Sequence, residues 1–520
     1  MTQGTGGAGK TGRRRPFLLG ILLLGLLLLP LPGAEEVRIR ILHTSDLHAN
    51  LSGDSQAPDG LLPLATLLEE RRKAVPPGTC LLVDTGDSVQ GSLEGTLSRG
   101  MAMIPWLESL SYDAWIPGNH DFDFGPEAFL EIARALSPRL LCGNLRLLSP
   151  TPDFPQGEFP GWRLFTLGEA KVALIGMTAS FLPHWFPEFS RHFQVESARQ
   201  ALARLMPQIL ARQPDLIVLA LHQGWMEQDP RGVNEVRELA RDFPEIDLIL
   251  GGHTHRLFPG RAGIDGPWYV QPGAHGQYFA QVDAVVDPRH HRLLRLESQL
   301  VEVTQETPPH PAAAQAVAPW QEQAQAYARQ TLAPPLPRLL SFRGRPGVDC
   351  PLSELFCQAL AEAAQCPLAL HGILAKEEIP AGVPLTGARL FSLVPYENSL
   401  VVCQVTAEEL GRILQEQWAI RNTSGACGIW GAEVILSPQG ARVLSLGEDT
   451  PPVPGKRYGL VMNSHTAAGS GRTPVLQEIL AQPASQMRDT GISSRDAVLQ
   501  CFLRHPGICP EPRKWLRIQR

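Results

Sequence analysis

Between residues 37 and about 300, short apolar runs alternate with longer stretches in which apolar residues recur every three or four positions. The runs Val37 to Thr44, Cys80 to Asp84, Ala114 to Pro117, Lys171 to Thr178, Asp215 to His222 and Asp247 to Leu250 predict β-strands. The stretches Leu61 to Ala74, Pro126 to Ala135 and Ser197 to Gln213 predict helices between them. Strands that are apolar on both faces and separated by helices predict a layered α/β domain with covered sheets. A Pro- and Ala-rich stretch from Thr307 to Pro319 breaks the pattern, a helix is expected from Trp320 to Leu332, and Pro334, Pro335 and Pro337 punctuate the chain again. Residues 306–337 therefore read as a linker with one helix, and residues 338–520, with mixed α and β patterning and no internal repeat, as a second domain.

The first residues have a different pattern. Arg13, Arg14 and Arg15 precede an almost unbroken apolar run from Phe17 to Leu29 that ends at Pro30. This is the layout of a signal peptide, with cleavage expected after Ala34 and export to the periplasm or the outside of the cell. The run is shorter than the roughly 20 residues that span a bilayer, so a cleaved leader is expected rather than a retained anchor. Membrane contact is expected only through this segment. Arg14-Arg15-Pro16-Phe17-Leu18 also resembles a twin-arginine export signal, which leaves both export routes open.

Composition places the rest among globular proteins. The chain has 520 residues, 43% hydrophobic and 19% charged, enough for roughly two to three domains. Loss of residues 1–34 removes Lys10 and three arginines and no acid, so the formal charge moves from −6 to −10. An acidic protein lacks the basic footprint of a nucleic-acid binder, yet a local cation can still hold a small phosphorylated substrate. Of the nine cysteines, Cys80 and Cys142 lie in the first half and seven follow from Cys350; their spacing matches no zinc ribbon. Export makes disulfides possible in the second half, where Cys350/Cys357 and Cys501/Cys509 are closest along the chain, but connectivity is open.

The candidate chemistry sits just after the strands, where ligands bind in open α/β sheets. In order come Asp46-Leu47-His48, Asp84-Thr85-Gly86-Asp87, Gly118-Asn119-His120-Asp121, His222-Gln223-Gly224 and Gly251-Gly252-His253-Thr254-His255. Together they supply the mixed oxygen and nitrogen ligands that two divalent cations need. On an extended backbone the alternating residues of Asp46-x-His48 and of His253-x-His255 would point the same way, each pair gripping one cluster. Adjacent glycines let the backbone turn and approach a metal.

In order and spacing, these five segments resemble the signature of the calcineurin-like metallophosphoesterases. Within them the chain resembles the bacterial periplasmic 5′-nucleotidase and UDP-sugar hydrolase family. The resemblance implies a layered β-sandwich flanked by helices over residues 35–305, followed by a smaller α+β substrate-binding domain over residues 338–520. It implies Asp46, His48, Asp87 and His255 around one divalent ion and Asp87, Asn119, His222 and His253 around a second, with Asp87 as the bridge. Relatives often carry Gln or Asn where this chain has His255. The ions could be Mn, Zn, Mg, Fe or Co. His120 and Asp123 become the catalytic pair; Asp123 could equally cap the following helix. Two cations about 3.5–4 Å apart offset phosphate charge and acidify a water for in-line attack.

The resemblance weakens in the second domain. Asp349-Cys350-Pro351-Leu352-Ser353-Glu354-Leu355 resembles the family's domain-opening segment, and Pro395-Tyr396-Glu397-Asn398 the turn whose aromatic stacks on a base. Tyr396, Asn398 and His465 are the candidate substrate-binding residues. Where the family has Asn-x-Gly-Gly-Ile-Arg this chain has Ala369-Leu370-His371-Gly372-Ile373-Leu374, so Leu374 replaces an anion-binding Arg. Gly469-Ser470-Gly471-Arg472 stands where the family has Gly-Gly-Asp-Gly. Arg343, Arg345, Lys376, Arg389 or Arg472 could replace the lost charge. Of the other histidines, His43 reads as a strand residue, His184 as part of a loop with Trp185, and His290 and His291 as a solvated hairpin turn after Asp287-Pro288-Arg289.

The expected function is release of phosphate from nucleotides or related phosphomonoesters. The altered pocket leaves two alternatives: hydrolysis of another small anion, as in thiosulfohydrolases of the same two-domain plan, or a non-enzymatic binding protein. The complete metal set speaks against the latter.

Overall fold

Period-two alternation along the first strands decides the architecture. In Val37–Thr44, Ile39 and Ile41 point to one face and Leu42 to the other, and each face joins a separate buried cluster. A computed structural model describes residues 36–53, 60–182, 189–227, 229, 233–260, 266–374, 377–469 and 473–519. The expected leader, the twin-arginine motif, His184, Trp185, Lys376, Ser470, Gly471 and Arg472 lie outside the described residues. Among the described residues no helix is long and apolar enough to cross a membrane.

The strands of the first 305 residues are β1 (Val37–Thr44), β2 (Cys80–Asp84), β3 (Ala114–Trp115), β4 (Leu145–Leu147), β5 (Trp162–Leu167), β6 (Ala170–Met177), β7 (Phe193–Val195), β8 (Leu216–Leu221), β9 (Leu248–Leu250), β10 (Leu257–Phe258), β11 (Trp268–Pro272), β12 (Tyr278–Asp287) and β13 (Arg292–Glu302). One sheet has the order β13-β12-β1-β2-β3 and another β10-β11-β9-β8-β6-β5; β4 and β7 form a separate short ladder. Strands β1, β2 and β3 run parallel, as do β6, β8, β9 and β11. Ile39, Ile41, Leu81 and Val83 from the first sheet meet Val172, Leu174, Val218 and Leu250 from the second in one buried layer. The outer face of the first sheet is covered by the helix Leu62–Lys73 and by Trp106 and Phe129. The outer face of the second is covered by the helices Ala198–Leu210 and Val236–Asp242 through Leu202, Leu205 and Leu239. The result is a helix-covered β-sandwich. A capping box of Ser197 and Gln200 sets the start of the helix Ala198–Leu210.

The strands and helices predicted before residue 300 are found with ends moved by at most three residues, and Val37–Thr44, Cys80–Asp84 and Pro126–Ala135 are unchanged. The linker differs more. Its helix spans Pro311–Arg329, beginning nine residues before the expected Trp320 and ending three before Leu332. Alanine is the best helix former, Pro311 sits in the first turn where its missing N–H costs nothing, and the N–H of Ala313 donates to Nδ1 of His310. The internal Pro319 is accommodated within this otherwise Ala-rich helix. After the helix, three linker residues form a strand.

That strand is β14 (Thr331–Ala333), and after it come β15 (Leu368–His371), β16 (Leu385–Thr386), β17 (Ser399–Val405), β18 (Gly428–Trp430), β19 (Ala432–Ser437), β20 (Gly440–Leu446), β21 (Tyr458–Asn463), β22 (Arg488–Ser493) and β23 (Leu516–Ile518). A five-stranded sheet has the order β18-β15-β21-β17-β22 and a three-stranded one β20-β19-β23. The helix Pro351–Ala364 buries Leu352, Leu355, Phe356 and Leu360 against the helix Ser494–Arg504 and the larger sheet. Residues 36–520 form one compact unit. All nine cysteines are unpaired, including the two pairs closest along the chain.

Candidate metal centre

Every metal-ligand candidate lies at the C-terminal end of a parallel strand: Asp46 and His48 after β1, Asp87 after β2, Asn119 after β3, His222 after β8, and His253 and His255 after β9. The structure brings these ends together in two clusters whose donor atoms lie within 4.8 Å of one another, Asp46/His48/His255 and Asp87/His222/His253. The backbone there is not extended. Asp46, His48, Asp87, His253 and His255 have φ of +53°, +50°, +53°, +71° and +54°. The expected extended backbone is therefore absent at both pairs; Asp46 and His48 still share one cluster, while His253 and His255 divide between the two. Left-handed backbone at five non-glycine positions is sterically costly and persists where surroundings over-determine it.

Those surroundings are visible. Asp121 accepts the backbone N–H groups of Asp87, Ser88, Val89 and Gly118 at 2.7–3.1 Å, tying the β2 and β3 ends together. The N–H of His253 reaches both carboxylate oxygens of Asp46 at 3.1 Å. At Gly118 a Cβ would stand 2.3 Å from Oδ1 of Asp87, so only glycine lets the two strand ends approach.

The histidines are held with one nitrogen free for a ligand. Nδ1–H of His48 donates to the carbonyl of Gln90 at 2.9 Å and Nδ1–H of His222 to the carbonyl of Thr85 at 2.6 Å, which leaves Nε2 for the clusters. Nε2 of His48 lies 3.1 Å from Nε2 of His255, and Nε2 of His222 lies 3.1 Å from Oδ2 of Asp87. Burial opposes charge on Asp46 and Asp87. The histidines beside them outweigh it, His255 and His222 at Asp46 and His222 and His120 at Asp87, and hold both carboxyls below the usual range. Burial lowers His48 to about 3 and His253 to about 4, so both are neutral, as ligands must be.

The donor set fits divalent cations. Both amide atoms of Asn119 are buried with no hydrogen-bond partner, and buried polar groups left so are costly. A cation among these mixed oxygen and nitrogen donors would satisfy them. His120 lies beside the clusters: its backbone N–H donates to Oδ1 of Asp87 at 2.7 Å and its Nδ1 meets Oδ2 of Asp123 at 2.8 Å. Burial opposes protonation of His120, but Asp123 and Asp87 overcome it and raise the imidazole to about 10. Asp123 makes no side-chain cap for the helix Pro126–Ala135; Gly125 occupies that position without a cap bond.

Opposite this wall, Tyr396, Asn398 and His465 share a cleft of about 1080 Å³ with His48, Asp87, His120, Asp123, His253 and His255. Leu374 lines it too. Among the described residues no lysine or arginine does. Arg343 pairs with Glu378, Arg345 lies over the Trp418 ring and Arg389 donates to the Pro384 carbonyl. His43 is a buried strand residue bonded to Thr85, and His290 and His291 pair with Asp287 and Asp215 around the β12–β13 turn.

Sequence reading missed His275. Its ring centroid stands 5.3 Å from that of His48, its φ is +58°, and its N–H donates to the Asp46 carbonyl. The signal was present in Gly273-Ala274-His275-Gly276, a strand-end histidine between glycines after β11. Glu397 was missed as well: it lines the cleft, pairs with Arg495 at 2.7 Å and accepts from Thr96 at 2.8 Å across it.

Residues 39–257 match the calcineurin-like phosphoesterase family and residues 329–478 the 5′-nucleotidase C-terminal domain family. The chain is 25% identical over 490 residues to the protein UshA of Yersinia enterocolitica, covering 85% of this chain and 87% of that one. It is 27% identical over 256 residues to the 5′-nucleotidase of Bos taurus, covering 47% of this chain; the match spans only 42% of that relative's length. A Staphylococcus aureus protein assigned as a 5′-nucleotidase, solved with alpha-ketoglutarate, shares the fold with a TM-score of 0.77 at 19% identity, covering 93% of this chain and 100% of that one. Residues 39–257 thus belong to the calcineurin-like phosphoesterase family and residues 329–478 to the 5′-nucleotidase C-terminal domain family, the pairing found in the 5′-nucleotidase relatives.

Proposed function

We propose that this protein is an exported two-metal phosphohydrolase that releases phosphate from nucleotides or related phosphomonoesters, with residues 35–305 carrying the metals and residues 338–520 the substrate wall. The observation that carries the reading is the cleft, where both ligand clusters and the His120–Asp123 pair face Tyr396, Asn398 and His465. Asp46, His48 and His255 would hold one cation, Asn119, His222 and His253 the other, and Asp87 both. Cations bound there would offset phosphate charge and acidify a water for in-line attack on phosphorus. With Nδ1 held by Asp123, the His120 imidazole would donate a proton toward the leaving oxygen or stabilise charge on the phosphoryl oxygens. Tyr396, 47% exposed, offers a ring face to a base.

Leu374, and a cleft wall without lysine or arginine among the described residues, favour a second reading in which the substrate is another small anion handled in the thiosulfohydrolase manner. Phosphate release from a nucleotide panel with manganese present separates the two. Turnover of nucleoside monophosphates supports the first; turnover of a sulfur anion with none of any phosphate ester supports the second.

A further inference from the structure

A third group of ligand side chains lies away from the cleft. Glu362, on the helix Pro351–Ala364, faces Cys501 and His505 at the end of the helix Ser494–Arg504, and their donor atoms lie within 4.8 Å of one another. None of the three lines the cleft. Cys501 and His505 are four residues apart, and the His505 N–H donates to the Cys501 carbonyl at 3.0 Å, so the two side chains share one face of a helical turn. Nε2 of His505 stands 2.9 Å from Oε1 of Glu362 and 3.1 Å from Oε2. Gln358 donates to Oε1 at 2.8 Å and fixes the carboxylate, while Arg504 approaches Oε2 at 3.4 Å. Cys501 is fully buried, and its Sγ makes no hydrogen bond among the described residues.

We propose that Glu362, Cys501 and His505 bind a zinc ion that clips the helices Pro351–Ala364 and Ser494–Arg504 together. Sulfur, imidazole nitrogen and carboxylate oxygen are the three ligand types of tetrahedral zinc, and a thiolate disfavours magnesium, calcium and manganese. The fourth position opens to solvent on the side of His505, which is 44% exposed. Burial and then Glu362 push the Cys501 thiol up to about 12. A cation bound by Cys501 displaces the thiol proton to solvent, so binding strengthens as pH rises. The ion would join the buried face shared by Phe356, Val498 and Phe502 to a second, ligand-based contact between the same helices.

The test is titration of the metal-stripped full chain with cobalt(II). Asp46, Asp87, Asn119 and the histidines of the cleft include no sulfur, so a sulfur-to-cobalt charge-transfer band in the near ultraviolet reports a cysteine ligand, and its loss in Cys501→Ser assigns the band to this cluster. The expected result is a band in the parent protein that zinc abolishes, that Cys501→Ser lacks, and that His505→Ala shows only at cobalt concentrations at least about tenfold higher. His505→Ala should leave phosphate release unchanged, and being exposed it serves if Cys501→Ser does not fold. No band in the parent protein, or a band with unaltered cobalt affinity in His505→Ala, overturns the clip. Cobalt transitions of a nitrogen and oxygen site without the sulfur band would refute the clip and leave the metal centre standing.

Discussion

His120 keeps one nitrogen on Asp123 while its backbone binds Asp87, a placement beside the clusters rather than in either. His120→Ala should lower kcat by roughly 10²- to 10⁴-fold, the scale of one acid–base group, with bound metal unchanged. Elemental analysis of the variant checks this, since loss of metal together with activity would make His120 a ligand. Across the cleft, Tyr396→Ala should weaken nucleotide binding by about 1–3 kcal/mol, the scale of a lost base–aromatic stack, and leave a simple phosphomonoester almost unaffected. Competition binding with both ligands decides it. Discrimination among bases that survives Tyr396→Ala would place the pocket elsewhere.

At the scale of elements, the six strands and three helices expected before residue 300 were legible because each of those strands is buried on both faces and each helix carries one apolar stripe, and burial writes a period into the sequence; the half-exposed β5 and β13 were not. The helix Pro311–Arg329 was not, since its prolines mimic a linker while its alanines carry little hydrophobic pattern. The ligand types at the strand ends were legible too. Their left-handed backbone was not, because the bonds that sustain it, Asp121 to four N–H groups and His253 to Asp46, join segments far apart in sequence. The same long range hides Glu354 of the helix Pro351–Ala364, whose two carboxylate oxygens accept the indole N–H of Trp515 at 3.0 Å. Burial raises this carboxyl from 4.5 to about 7. The folded protein then retains a proton that the unfolded chain releases between those values, so this group lowers stability as pH rises through that window. Glu354→Gln should remove the penalty: the Tm of the variant relative to the parent should improve from about pH 4 to about pH 8. An equal difference at both would show that Glu354 does not titrate there.

Over the whole molecule, the two halves meet at Glu397. It pairs with the largely buried Arg495, which stacks on Phe391 and donates to the Val394 carbonyl, and it accepts from Thr96 of the first half. Removing one member of a buried pair strands the other, so Glu397→Ala should cost about 3–5 kcal/mol in denaturant unfolding. Thr96→Ala should cost about 1 kcal/mol. Equal small losses would mean that the pair does not hold the cleft together. We propose that Asp46, His48, Asp87, Asn119, His222, His253 and His255 form one dinuclear centre. Its most direct test is the manganese content of the reconstituted full chain, because manganese avoids the thiolate of Cys501. A dinuclear centre gives two manganese ions per chain and none in Asp87→Ala; one ion in the parent protein, or two retained after loss of Asp87, would rule it out.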